Sequence, residues 1–349
     1  LGWQWIFFVN VPIGIAAIVF TRSKVDESKN PNARGIDWPG VVAWSAALFM
    51  LVFALIRGNA QGWGSTKTVV ELVVAAVLIL GFLVMESRRK EPMLDLSLFR
   101  KPAFAGVSIV AFALSASMFS MFLYITLYLQ NGLGYTPLQT GLRFLPLTVI
   151  SFFVAGAAGR LVHTVPARVL FGIGLGAVGI GLLLMHGVKP TSSWTTLLAG
   201  FIVAGAGVGL CNPTIAQVAV GVVEPARSGM AAGINNTFRQ VGIATGIAGL
   251  GAIFQSRVES SAKAVLSSSG LPAQKSQVVA HQLATQQSAG GGHGAVAHAA
   301  QIGFLNAFND ILMVGAIVAF AGAVLGALLV RSEDFAHGAE SPEPAAAAA

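Results

Sequence analysis

The sequence predicts an all-α, polytopic membrane protein. Of its 349 residues, 55% are hydrophobic and only 10% are charged, whereas soluble domains carry roughly 25% charged residues. The apolar residues fall into nine stretches, each close to the roughly 20 residues that a helix needs to cross a bilayer. Backbone polar groups inside the hydrocarbon have to bond within their own segment, so each stretch is expected to be a helix.

The nine predicted spans follow one another through short polar connections, except near the end of the chain. They lie at about 3–20, 38–56, 68–86, 104–130, 139–161, 167–188, 196–220, 229–256 and 303–330. Residues 257–302 are expected to form one long outer loop, with a short surface helix in AQKSQVVAHQLATQQ. Residues 332–349 are low in sequence complexity and are expected to be a disordered tail.

Basic residues are divided unequally between the two sides of these spans. Thirteen Lys and Arg residues fall in connections on one side and six on the other, while Arg143 and Arg239 lie inside spans. By the positive-inside rule the side with thirteen basic residues is cytoplasmic, and the C-terminus lies on that side. We expect the protein to be integral to the plasma (inner) membrane. The net charge of +7 therefore indicates topology, because the basic residues do not form the clustered face of a nucleic-acid-binding protein.

Residues 196–256 are the most informative stretch, because they predict two membrane helices joined by the polar turn GVVEPAR. Three pairs of glycines in this hairpin are spaced four residues apart, which lets another helix approach closely. The pairs are Gly205 and Gly209, Gly229 and Gly233, and Gly242 and Gly246. Close helix packing is therefore expected at all three pairs. Gly205 and Gly209 are also candidates, with Pro213, for gating positions.

The second helix of the hairpin contains our candidate functional site. Asn235, Asn236, Arg239 and Gln240 lie inside its apolar span. An arginine about ten residues inside a span costs several kcal/mol unless it faces water or a partner. We therefore expect these side chains to face a water-filled pathway; the alternative is an interhelical hydrogen-bond network without a transport role.

Two other features are candidates for function. Pro213, next to Asn212, removes a backbone bond in mid-helix and predicts a kink that serves gating or is purely structural. Tyr124 and Tyr128 lie on or near one face of the fourth span and are candidates for contact with an amphipathic substrate. For Tyr128, anchoring at the membrane interface is the alternative.

Several long motifs together resemble one protein family. They are WQWIFFVNVPIG at 3–14, IDWPG at 36–40, EPMLDLSLFRKPAF at 91–104, FLYITLYLQNGLGYTPLQTGLRFLP at 122–146 and GINNTFRQVGIATG at 233–246. This set resembles the fourteen-helix drug:proton antiporters of the major facilitator superfamily, although Gln4 stands where that family usually has Arg. The resemblance extends from Leu1 to about Arg331.

This resemblance implies that the nine spans are helices six to fourteen of such a transporter. Residues 1–20 would be the last helix of the N-terminal half, 21–103 two linker helices with cytoplasmic loops, and 104–331 the C-terminal six-helix half. The remainder of the N-terminal half would be missing from this chain, together with the main proton-carrying acid. In the family the fourth, fifth, seventh and eighth of these spans line the cavity. The implied lining residues are Arg143, Asn212, Gln217, Asn235, Asn236, Arg239 and Gln240.

The expected function is proton-coupled export of small lipophilic or cationic compounds. The implied partners are the bilayer, a small-molecule substrate, protons and the missing half, with the proton gradient as energy source and no cofactor. Metal-protease, CxxC, phosphate-loop and nucleophile-elbow motifs are absent, so neither an enzyme nor a metal site is expected. The alternatives are a non-transporting membrane fragment or partner subunit, and a major facilitator transporter for a dedicated metabolite.

Overall fold

The computed structural model describes residues 4–24, 37–89, 92–224, 227–286 and 294–330. The chain divides into two compact units, residues 1–37 and 38–349, which are described separately. Within the described ranges all regular structure is helical, as expected for the all-α class. The tail expected at 332–349 lies outside the described residues.

The first unit contains two short helices, Trp5–Phe8 (α1) and Asn10–Lys24 (α2). The sequence predicted one membrane span at about 3–20. The longer helix has 15 residues, fewer than the roughly 20 that a bilayer requires. The described part of this unit therefore does not by itself provide a full-length span.

The second unit contains the other eight predicted spans. The short helix predicted between the last two is confirmed at Ala273–Gln286. Its helices are Trp38–Gln61 (α3), Thr66–Ser87 (α4), Pro102–Leu114 (α5), Ser120–Leu127 (α6), Pro137–Arg143 (α7), Leu145–Leu161 (α8), Ala167–Met185 (α9), Leu198–Gly221 (α10), Ser228–Ser268 (α11), Ala273–Gln286 (α12) and Ala295–Leu329 (α13). Among the described residues, seven spans are long and apolar enough to cross a bilayer, and an eighth arises if α7 and α8, bent by 40°, count as one.

Helices α3 and α4 pack against each other as a pair that we call the linker hairpin. Ser65 caps α4, because its side chain accepts a hydrogen bond from the Thr68 backbone N–H. The hairpin is attached to α11 through Asn59, whose Nδ2 donates to the Ala248 carbonyl at 3.2 Å while its Oδ1 accepts from Trp63 Nε1 at 3.0 Å. This amide thus bonds both to α11 and to the turn between α3 and α4, which fixes the hairpin on the remainder of the unit.

The span from 102 to 132 is one long helix with two π-helical turns, Ser115–Phe119 and Tyr128–Gly132. Each π-turn accommodates an extra residue in the helix and changes which side chains face the neighbouring helices. Ser120 stabilises the first turn, since its hydroxyl lies 3.1 Å from both the Ser115 and the Ile243 carbonyl oxygens. This hydroxyl links the turn to α11.

The predicted outer loop at 257–302 is wrong in form, because most of its described residues are helical. Helix α11 continues to Ser268, α12 occupies Ala273–Gln286, and α13 already begins at Ala295. Val258, Ala262 and Leu266 are buried at helical spacing and continue the apolar face of α11 beyond Arg257. A continuous run of apolar residues marks only the part of a helix that is apolar on every side. The prediction from such runs therefore ended α11 too early.

Candidate functional site

Helix α11 presents two different faces to its surroundings, one buried and one exposed. Asn235, Gly242 and Gly246 lie on a buried face, where the two glycines contact the span 102–132. A Cβ added to Gly242 would lie 2.7 Å from the Phe112 carbonyl oxygen, and one added to Gly246 would lie 2.5 Å from that of Ala116. Backbones this close leave room only for glycine, so the packing prediction is confirmed for this pair.

A second face of α11 is exposed and forms a stripe at helical spacing. We define the exposed stripe as Gly229, Ala232, Gly233, Asn236 and Gln240. A Cβ added to Gly229 or Gly233 would meet nothing within 4 Å. The prediction that this third glycine pair forms a close helix contact is therefore wrong.

Arg239 lies at the edge between the buried face and the exposed stripe. Its side chain is half-buried, and its guanidinium carbon lies 5.7 Å from the centroid of the Phe119 ring, within the range of a cation–π contact. Within the described ranges, no carboxylate lies within 4 Å of this guanidinium. The site therefore contains a fixed positive charge that is stacked on an aromatic ring without an acidic partner.

The four candidate residues on α11 are only partly brought together. Asn235 is 6% exposed, and its Nδ2 has no hydrogen-bond partner among the described residues. Asn236 and Gln240 are exposed, and Gln240 also borders an open groove against α3. Asn236, Arg239 and Gln240 thus share an accessible region, whereas Asn235 belongs to the packed interface.

A row of aromatic rings extends from Arg239 across three spans. Phe119 lies 5.6 Å from Phe122, Phe122 lies 5.6 Å from Phe144, and Phe144 lies 5.4 Å from Phe201, each distance joining ring centroids. Sequence reasoning missed this row. Phe119 and Phe122 have helical spacing, but nothing in the sequence indicates that Phe144 and Phe201 continue the row from other helices.

Arg143, the last residue of α7, is held in place by two aromatic rings and a backbone carbonyl. Its guanidinium carbon lies 3.5 Å from the Tyr135 ring centroid and 5.5 Å from that of Trp194. One terminal nitrogen donates to the Gln139 carbonyl at 2.8 Å, while the buried Nε has no partner among the described residues. Arg143 therefore joins the loop before α7 to the segment before α10, at the bend between α7 and α8.

Tyr124 and Tyr128 are each only 1% exposed, so neither side chain is accessible to a substrate in this structure. The prediction that they contact a substrate is wrong for this structure. Tyr124 donates its hydroxyl to the Ile247 carbonyl at 3.0 Å. The Tyr128 ring stacks on Phe308 with 5.0 Å between centroids. Both tyrosines pack between helices and stabilise the fold.

The glycines of α10 are packing residues. A Cβ on Gly205 would lie 2.5 Å from the Leu147 carbonyl oxygen, and one on Gly209 would lie 2.5 Å from that of Ser151. The close contact predicted for this pair, here with α8, is confirmed. The gating role also suggested for them has no support in this contact.

Around Pro213, α10 remains a single helix. Pro213 cannot donate to the carbonyl four residues earlier, which belongs to Gly209. Asn212 and Gln217 are half-buried, and Asn212 Oδ1 has no hydrogen-bond partner among the described residues. These side chains remain candidates for contact with a substrate or with another part of the transporter.

The acids inside the described spans are engaged elsewhere. Glu71 pairs with Arg57 at 3.1 Å, and Asp310 pairs with Arg257. Sequence reasoning missed Glu86, which is 1% exposed at the end of α4 and accepts a hydrogen bond from the Leu94 backbone N–H at 2.6 Å. Glu86 was missed because the basic residues that follow it, Arg88, Arg89 and Lys90, indicate a loop exposed to solvent.

Comparison with known proteins identifies the family. Residues 1–247 match the family described as Major Facilitator Superfamily. The chain is 38% identical over 252 residues to the multidrug resistance protein Stp of Mycobacterium tuberculosis, covering 72% of this chain and 47% of that protein. It is 30% identical to the tetracenomycin C resistance and export protein of Streptomyces glaucescens, covering 74% of this chain and 48% of that protein.

Further comparisons give one more curated relative and one solved structure. The drug efflux pump JefA of Mycobacterium tuberculosis is 33% identical, with 72% of this chain and 50% of that protein covered. A solved structure of a bacterial homologue of the human lysosomal transporter Spinster is 17% identical, with a TM-score of 0.49, covering 87% of this chain and 70% of that chain. The chain spans about half the length of the curated relatives it matches. Its similarities are to transporters rather than enzymes, and the chain belongs to the Major Facilitator Superfamily.

Proposed function

We propose that this chain is the C-terminal part of a proton-coupled exporter of small lipophilic or cationic compounds. The proposal is supported by the relatives, which are named as a multidrug resistance protein, a tetracenomycin C resistance and export protein and a drug efflux pump. It also fits the described spans of the second unit, which number eight when the bent pair α7 and α8 counts as one span and which then include six after the linker hairpin. Two such halves rocking about a site near mid-membrane would give alternating access.

The observation that carries the proposal is the position of Arg239. It lies in mid-span, half-buried beside the exposed stripe, with its charge on Phe119 and no carboxylate within 4 Å among the described residues. An unpaired charge at this depth is stable only where it meets water or another part of the transporter. We infer that Arg239 faces the central pathway together with Asn236 and Gln240, the two polar residues of the exposed stripe.

Arg239 would act by fixing a positive charge rather than by carrying a proton. A guanidinium remains protonated at any physiological pH. A carboxyl group that approached it in one conformation would have a lowered pKa there and would regain its ordinary affinity for protons in the other. We propose that the carrier is an acid outside this chain, since Glu71 and Asp310 are already paired.

Substrate recognition would use the aromatic row. The ring centroids of Phe119 and Phe144 each lie 5.6 Å from the centroid of Phe122, and both pairs meet edge to face. Aromatic rings bury large apolar area and attract cations over their faces. Such a surface suits lipophilic and cationic compounds without requiring one fixed arrangement of hydrogen bonds.

The test is export of a fluorescent lipophilic cation, ethidium, from bacterial cells that express the full-length gene product. We expect lower ethidium accumulation than in cells with an empty vector, and loss of this difference when a protonophore collapses the gradient. Equal accumulation with and without the protein would contradict export of this class of compound. Export that survives the protonophore would contradict proton coupling.

A further inference from the structure

A cavity of about 470 Å³ lies between the linker hairpin and the first turns of α11. Its walls come from α3, α4, residues 93–99 and residues 229–238 of α11. The volume lies within the roughly 300–1,000 Å³ typical of sites for small molecules. Asn236, Arg239, Gln240 and the aromatic row are not among its described lining residues, but Gly229 and Gly233 of the exposed stripe are. The cavity therefore adjoins the candidate site above along α11.

The chemistry of the lining is aromatic and sulfur-rich. Trp44, Phe99 and Phe238 contribute rings, and Met93 and Met230 contribute thioethers. No described lining residue carries a charge, and the hydroxyl of Thr237 already donates to the Gly233 carbonyl at 3.0 Å. Buried charge without a partner is costly, whereas thioethers and ring edges adapt to flat apolar molecules. The lining therefore favours a neutral aromatic ligand.

The wall formed by residues 93–99 is fixed in place on both sides of the cavity. Glu86 of α4 accepts from the Leu94 backbone N–H at 2.6 Å. Asp95 pairs with Arg227, and its backbone N–H lies 3.4 Å from Met230 Sδ on α11. These polar contacts hold the segment across the space between two helices, so the cavity is built into the structure.

Glycines keep the floor of the cavity open. Gly229 and Gly233 line it, and a Cβ on either would meet nothing within 4 Å, in contrast to Gly242 and Gly246 on the same helix. An apolar wall without atoms opposite it loses dispersion contacts. A ligand that fills this space recovers them.

We propose that this cavity binds a neutral aromatic compound at a site formed jointly by the linker hairpin and α11. Proton coupling and export are not required for this binding. Because Trp44 lies on one wall and Phe238 on the other, a bound compound contacts both the hairpin and the helix that carries Arg239. The predicted ligand is a fused or paired ring system with no net charge.

The experiment uses the full-length gene product in lipid nanodiscs with a neutral naphthalene that carries a photoreactive diazirine. After irradiation, mass spectrometry of peptides locates the label. We expect saturable labelling of residues 93–99 and 230–238, reduced at least tenfold by excess unlabelled naphthalene. Labelling elsewhere, or labelling here that naphthalene does not reduce, would overturn the proposal without any need for a variant.

Two variants and a second probe sharpen the test. Gly233→Leu fills the cavity and should reduce the labelling at least tenfold, while Gly249→Leu on the same helix, which also meets nothing within 4 Å and does not line the cavity, should leave it unchanged. Full labelling in folded Gly233→Leu protein would contradict the site. A phospholipid with a diazirine in its acyl chain distinguishes the occupants: if it labels these residues and naphthalene does not compete, the cavity holds lipid and the proposal is wrong.

Discussion

The guanidinium carbon of Arg239 lies 5.7 Å from the ring centroid of Phe119, the last residue of a π-helical turn. This contact joins α11 to the span 102–132 at the point where the aromatic row begins. Beneath it, the Ser120 hydroxyl lies 3.1 Å from the Ile243 carbonyl oxygen, and Gly246 leaves no room for a side chain against Ala116. The charged side chain of Arg239 thus has closely packed backbone on one side and accessible surface on the other.

Substitution of Gly205 or Gly209 by Leu should lower the amount of folded protein in the membrane. Each added side chain would meet the backbone of α8 at 2.5 Å, so the helices have to separate, at a cost of about 1 kcal/mol or more. Membrane abundance and thermal unfolding in detergent measure the effect. The matched control is Gly249→Leu, since a Cβ there meets nothing within 4 Å. If all three variants behave alike, the α8–α10 contact does not depend on glycine.

Eight of the nine spans could be predicted from sequence, because lipid imposes a minimum apolar length that is visible in the residues. Glycine pairs were less informative. The spacing of Gly205 and Gly209 matches that of Gly229 and Gly233, yet only the first pair meets a backbone. Spacing places two small residues on one face of a helix, but it does not say whether another helix lies opposite that face.

Asn59→Ala should loosen the linker hairpin. The substitution removes the bonds to the Ala248 carbonyl and to Trp63, and interhelical hydrogen bonds in membranes are worth about 1 kcal/mol. We expect a lower melting temperature and faster backbone hydrogen exchange in α3. Asn236→Ala, at an exposed position of α11, is the control and should change neither. Unchanged exchange in α3 of the Asn59 variant would show that the hairpin is held by packing alone.

Stability should fall in acid as Asp95 becomes protonated. Burial alone would raise the pKa of this carboxyl, but hydrogen bonds from Ser97 and the charge of Arg227 outweigh it and lower the pKa below its ordinary value of 3.8. A lowered pKa in the folded state gives stability that is present above 3.8 and is lost as the pH falls through the folded-state value. Thermal unfolding of the wild type and of Asp95→Asn should differ at pH 6 and converge below about pH 3.

The control for this acid effect is Arg227→Gln, which removes the partner and should give the same convergence. Neither variant touches the spans, so a loss of folded protein at neutral pH is not expected. If the wild type and Asp95→Asn unfold at the same temperature at pH 6, the contact between Asp95 and Arg227 contributes nothing to stability.

The proposed topology predicts opposite labelling at two exposed serines. In a Cys211→Ala background, Ser97→Cys should be labelled by a membrane-impermeant maleimide only after the membrane is opened, and Ser267→Cys in intact cells. Both positions are exposed, whereas Cys211 is buried. Labelling of position 97 from outside intact cells would invert the topology.

The candidate site was predictable in part. Arg239 is conspicuous in the sequence because a charge in an apolar span is costly. Tyr124 and Tyr128 were misplaced because two π-helical turns, Ser115–Phe119 and Tyr128–Gly132, alter the register of that span, and regular helical spacing cannot anticipate them. The Phe144–Phe201 contact joins helices that are far apart in the sequence, so the sequence carries no signal for it. Glu86 bonds to the nearby Leu94, but the basic residues that follow it indicated an exposed end of the span.

The most direct test of the account is transport by Arg239 variants of the full-length gene product. Arg239→Ala should abolish proton-dependent ethidium export while membrane abundance stays near that of the wild type, and Arg239→Lys should retain part of the activity because it keeps the charge but not the planar guanidinium. Normal export by folded Arg239→Ala protein would contradict the central role of this charge. Loss of folded protein in both variants would show that Arg239 serves packing against Phe119 instead.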